Sequence, residues 1–128
     1  MLLNVQTAPG EFLDRLTILE IKSERIRDAA KLANVRRELE LLRATWAESP
    51  LSKRDVSRLV AELKTVNETL WEIEDRIRHK EAEKVFDSDF VELARSVYRT
   101  NDRRAAIKRQ LNVALGSEIL EEKSYTPY

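Results

Sequence analysis

The residues best suited to chemistry lie in one row near the end of the chain. From Phe90 onward, Ala94, Val97, Asn101, Arg104, Lys108, Leu111 and Leu115 follow a three-and-four spacing that puts them on one line of a helix, with Tyr98 and Asn112 at its border. The line is apolar at both ends and polar in the middle. A Lys or Arg is almost never fully buried without a partner, so Asn101, Arg104 and Lys108 must face a polar cavity or carboxylates from other helices. In a cavity, Arg104 and Lys108 would hold a phosphorylated or carboxylated small molecule. Against carboxylates they would form a structural network that sets helix register.

Three residues elsewhere can meet that row. Glu20 projects between Leu13 and Leu16, and Asn67 and Glu74, one heptad apart, flank a seam of Leu63, Leu70 and Ile77. The expectation is one polar, ligand-binding pocket formed by Glu20, Asn67, Glu74, Tyr98, Asn101, Arg104 and Lys108, with Arg104 bonded to Glu20 or Glu74. Side chains that snorkel to the surface are the alternative. A second cluster comprises Glu11, Asp14, Lys22 and Arg25 around Ile18 and Ile21, opposite Phe12 and Leu16. Apolar residues ringed by charge suit a partner surface or subunit interface; ion pairs on a solvated face are the alternative.

Other chemistries find less support. The chain has no Cys and one His, His79, which excludes thiolate sites and a multi-histidine metal centre within one chain. No Gly-rich phosphate loop or nucleophile–base pair is recognisable, so no metal, cofactor or catalytic residue is assigned. Glu11-x-x-Asp14 and Glu72-x-x-Asp75 share a spacing with the Mg²⁺ sites of all-helical nucleoside triphosphate pyrophosphatases. Glu68, Glu72 and Asp75 lie away from the seam, however, and the accompanying E-x-x-E element is missing. Residues 94–112 hold six basic groups against one acidic, a pattern that can track phosphates. The whole chain balances 23 basic against 23 acidic residues, which favours pairing within the molecule over nucleic acid.

These residues need helices to position them. With 128 residues, one domain is expected; two Gly, three Pro and 6% aromatic residues favour long helices over a sandwich or barrel. A short extended arm, residues 1–10, ends at Pro9-Gly10. The first helix, residues 11–28, is apolar on two faces. Its stripe is about 200° out of register with the next one, Leu32, Val35, Leu39, Leu42 and Trp46, so a turn is placed at residues 28–31. The second helix spans 31–48 and ends before Pro50. Ser52 is read as the cap of a third helix, 52–84, carrying Val56, Leu59, Leu63, Val66, Leu70, Ile73 and Ile77 in heptad spacing. Asp87-Ser88-Asp89 caps a fourth, 88–115, which Gly116 ends, and residues 117–128 form a tail.

The expected fold is therefore all-α: an antiparallel four-helix bundle with two long helices. No apolar run is long enough to span a membrane, and a soluble cytoplasmic protein is expected. The leading expectation is a non-enzymatic interaction or scaffold module whose partner is a second copy of the chain or another protein. The alternative is an enzyme or binding protein for an anionic small molecule held by Arg104 and Lys108. The homodimer would form through the first helix or the protruding part of the third.

Two stretches, Gly10-Glu11-Phe12-Leu13-Asp14-Arg15-Leu16-Thr17-Ile18-Leu19-Glu20-Ile21-Lys22 and Phe90-Val91-Glu92-Leu93-Ala94-Arg95-Ser96-Val97-Tyr98-Arg99-Thr100-Asn101-Asp102-Arg103-Arg104, carry a resemblance. With Leu70-Trp71-Glu72-Ile73-Glu74-Asp75 and Glu121-Glu122-Lys123-Ser124-Tyr125, they resemble a family of small bacterial proteins classed as a domain of unknown function. The resemblance spans nearly the whole chain. It implies a bacterial source and assigns no activity, ligand or catalytic residue.

Overall fold

Four α-helices follow an extended arm in the computed structural model, which describes residues 1–128: α1 (Pro9–Arg25), α2 (Ala29–Glu48), α3 (Ser57–Glu83) and α4 (Ser88–Ala114), with a single 3-10 turn (Pro50–Lys53) between α2 and α3. The chain is all-helical, as its periodicity predicts. No helix is long and apolar enough to cross a membrane.

The helix ends show where local chemistry decided the boundaries. Asp28 accepts a hydrogen bond from the Lys31 N–H at 3.0 Å and starts α2 at Ala29, so the first turn falls earlier than residues 28–31. Ser52 does not cap α3. It belongs to the 3-10 turn, where its hydroxyl donates to the Ser49 carbonyl at 2.7 Å, and α3 starts at Ser57, whose N–H and hydroxyl both reach Asp55. Lys84 ends α3 in the left-handed region at φ 57°. Asp87 caps α4 through the Phe90 N–H at 2.9 Å, as expected.

α3 and α4 form a long antiparallel hairpin, tied at its open base by Arg54 donating to the Ala114 carbonyl and at its tip by Lys80 with Asp87. α1 lies in the groove of this hairpin and contacts all three other helices, whereas α2 packs only on α1 and the 3-10 turn. The outer face of α1 meets α2 through Phe12 stacked on Trp46, with ring centroids 6.1 Å apart, and through the Arg15–Glu38 ion pair. The continuous apolar core comprises Leu13, Leu16 and Leu19 of α1, Leu39 of α2, Leu59, Leu63 and Val66 of α3, and Ile107, Leu111 and Leu115 at the end of α4. It sits wholly at the base of the hairpin.

Both faces of α1 are covered, and the chain itself covers them. The face proposed for a partner is turned into the hairpin: Asp14 and Ile21 are each 1% exposed, and Ile18 and Lys22 are half-buried. Arg25 pairs with Glu72 at 3.4 Å and Glu68 at 3.7 Å, and Glu11 pairs with Lys108. Charges around apolar residues here line a contact between helices of one chain, because α1 is covered by α3 and α4 on one face and by α2 on the other.

Candidate functional site

The site begins with a close approach of two helices. A Cβ on Gly10 would lie 2.5 Å from the Lys108 carbonyl oxygen and 2.7 Å from Asn112 Oδ1, so only glycine lets the start of α1 touch α4. Ala8, at the N-cap position, offers no side-chain bond. Asn112 Oδ1 from α4 accepts from the Gly10 N–H instead, at 2.7 Å. α1 then descends beside α4 in antiparallel steps. Gly10 meets Asn112, Glu11 meets Lys108, and Asp14 meets Arg104.

Asp14 is the centre of this ladder. Its Oδ1 accepts from Arg104 Nε at 2.9 Å and from Asn67 Nδ2 of α3 at 2.9 Å, while its Oδ2 accepts from Arg104 Nη2. Asn67 Nδ2 also donates to Thr17 Oγ1 at 3.0 Å, and Thr17 donates to the Asp14 carbonyl at 2.8 Å. Asp14, Thr17 and Asn67 are buried, and no buried side-chain nitrogen or oxygen in the molecule lacks a partner. The hydrogen bonds to Asp14 hold the Arg104 guanidinium above its ordinary pKa, against the effect of burial. Lys108 donates to Glu11 at 2.6 Å and to Glu121 of the tail at 3.2 Å. Burial opposes its charge, but the two carboxylates outweigh burial and raise its pKa; in return Lys108 lowers that of Glu121.

Arg104 was expected to bond Glu20 or Glu74; it bonds Asp14. Glu20 lies between α1 and α2, 3.7 Å from Arg43, and lines a different cavity beside Lys64. Glu74 faces outward and pairs with Arg78 at 3.4 Å. Asp14 lies one turn before Ile18, on the face of α1 that the hairpin covers. A helical wheel shows that face but not its neighbour. The sequence signal that could have found the pair is the matching ladder of Gly10, Glu11 and Asp14 against Asn112, Lys108 and Arg104.

The residues expected in one pocket line four separate cavities, Glu20 the one beside Lys64 and the others the three that follow. Asn67, Glu74, Asn101 and Arg104 line one of about 490 Å³, walled by Ile18, Ile21, Leu70 and Trp71. Tyr98, Asn101 and Arg104 line a second of about 800 Å³ under the tail residues Lys123 and Tyr125–Tyr128. Lys108 lines a third of about 450 Å³ between the N-terminal arm, α1, α4 and the tail. Arg104 thus borders two cavities while its charge is held by Asp14, and Nη1 makes no hydrogen bond. His79 is exposed on α3, 3.6 Å from Asp75, and no three His, Asp or Glu residues lie close enough together to share a metal ion.

Over residues 3–128 the chain matches the family described as "Family of unknown function (DUF6165)", and it belongs to that family. No curated protein and no solved structure matches it.

Proposed function

We propose that this chain is a helical interaction module that pairs with a second copy of itself through the free end of the α3/α4 hairpin. The observation that carries this reading is the end of the core at Val66 and Ile107, while α3 continues to Glu83. α1 reaches along α3 as far as Glu72 through Arg25, which leaves about 16 Å of two-helix hairpin beyond it. Ile73 and Leu93 are buried there, but Phe86 and Val91 are exposed and Phe90 is half-buried. Residues 74–99 carry seven acidic and six basic groups, so a second tip would meet a mixed surface rather than a like-charged one. Two tips packed together would supply the missing half of a four-helix core, in the manner of a short coiled coil. The setting of this reading is the bacterial cytoplasm that the sequence suggests.

Light scattering on the intact chain at micromolar concentration tests it. The expected mass is twice 14.9 kDa, and Phe86→Ser combined with Val91→Ser should return it to one chain without loss of helix content. A monomer for the intact chain overturns the reading.

The alternative, a protein for an anionic ligand, finds its support in Asn101 and in the Nη1 group of Arg104, both bordering open cavities. Against it, Arg104 and Lys108 already face carboxylates of the same chain. A thermal shift with phosphorylated or carboxylated metabolites that Arg104→Met abolishes while the helices remain would favour it.

A further inference from the structure

The C-terminal tail departs from α4 at Gly116, with φ +67°, and runs back along the helix it has just left. Glu121 meets Lys108 and Glu122 meets Arg109 at 3.2 Å, and Tyr128 reaches Asp102 and packs edge-on against Tyr98 with centroids 5.1 Å apart. All these attachments are made by side chains. The last backbone hydrogen bond to the body is Ser117 N–H to the Asn112 carbonyl, and residues 118–128 make none. Ile119, Leu120, Tyr125 and Tyr128 remain exposed. The tail bridges two of the cavities described above instead of filling them. A segment with no backbone hydrogen bond to the helices, held beside open space by one part-buried and one exposed ion pair, detaches at low free energy.

The surface beneath the tail has a definite character. Lys108 keeps only 11% of its side chain exposed and points its ammonium at two carboxylates, one of them supplied by the tail. Arg109 lies beside it, and the Nη1 group of Arg104 lacks a partner. Tyr98 stands further along, about two turns of helix from Arg104 and about three from Lys108. The tail meets this surface with adjacent glutamates followed by aromatic residues.

We propose that this face of α4 is a docking groove for an extended acidic segment of a partner protein, and that residues 117–128 occupy it in cis as a stand-in. Charge complementarity names the occupant: a pair of neighbouring carboxylates for Lys108 and Arg109, with an aromatic side chain downstream for Tyr98. The groove is separate from the hairpin tip, so the proposal does not depend on self-association.

The test uses a fluorescein-labelled peptide of residues 117–128 and two proteins: the full chain and a variant ending at Gly116, checked for helix content. Anisotropy should show the shortened protein binding the peptide about tenfold or more tightly than the full chain, whose own tail competes at roughly millimolar effective concentration. A peptide carrying Glu121→Gln and Glu122→Gln should bind about tenfold more weakly, as expected for two lost ion pairs. Octaglutamate should displace the labelled peptide. Displacement by inorganic phosphate but not octaglutamate overturns the proposal in favour of a small-anion site. Failure of the folded, shortened protein to bind overturns it outright, as does equal binding by the full chain. A doubled mass for the full chain that disappears on removing the tail overturns it in favour of exchange with a second copy's tail. Should the shortened variant fail to fold, the full chain with Glu121→Gln and Glu122→Gln takes its place, and it must bind the unmodified peptide more tightly than the natural chain does.

Discussion

The two ends of the α3/α4 hairpin are built from similar residues and held by different physics. At the base, α1 fills the groove, the apolar core is continuous, and a buried carboxylate takes three hydrogen bonds from two other helices. At the tip, two helices face each other alone across Ile73 and Leu93. Their ion pairs, including Arg78 with Glu74 and Arg95 with Glu92, lie at the surface. The Phe86 and Phe90 rings pack on each other at 5.2 Å with little above them. Exposed ion pairs contribute little to stability, while a buried one is costly to break from one side. The base is therefore held in one arrangement, and the tip leaves apolar surface exposed.

The largest expected effect lies at the base. Arg104→Met leaves Asp14 buried without its cation and should cost about 3–5 kcal/mol of unfolding free energy. Adding Asp14→Leu should recover most of that loss, because Asn67 retains Thr17 as a partner. Urea unfolding of the two variants checks both statements. A single substitution that costs nothing would remove the contrast between the two ends.

Gly10→Ala should follow, at about 2 kcal/mol. The added Cβ meets a helix carbonyl, which cannot move aside as a side chain would. Thermal unfolding should show a lower midpoint, and it should also show Asn112→Ala destabilising through loss of the α1 N-terminal partner.

The tip should respond in the opposite sense. Lys84 holds a left-handed backbone that glycine adopts without strain, so Lys84→Gly should stabilise the turn, by no more than about 1 kcal/mol. Native-state hydrogen exchange should place the gain in amides near residues 80–90 and leave those near Leu63 and Leu111 unchanged. A gain spread over the base would mean that the hairpin opens as one unit.

Acid should distinguish the ends most gently. The Lys80 ammonium and the Phe90 N–H lower the pKa of Asp87 from 3.8. Its folded value is below its unfolded one, so its contribution is complete above pH 3.8 and is lost as pH falls through the lower folded value. The Phe90 amide shift, followed by NMR, should titrate with a midpoint below 3.8. A midpoint at or above that value would show that the cap and the Lys80 pair do not hold Asp87 in solution.

Much of this architecture is legible in the chain itself, because a helix writes its period into its residues. The heptads of α3, the Asp87 cap, Gly116 after α4, and the two apolar faces of α1 all follow from local spacing and backbone preference. So did the need of Arg104 for a carboxylate, since a cation drawn partly into the interior calls for one wherever it lies. Which carboxylate answers it was decided only in three dimensions. Glu20, Glu74 and Asp14 are equivalent as sequence; their distances to Arg104 depend on how α1 is rotated and how deeply it settles between α3 and α4. Gly10 sets that depth by letting α1 touch α4, and Asn67 completes the choice from α3. Periodicity identifies which residues share a face, but the partner of each face is set by packing between segments far apart in the chain, which no local pattern records.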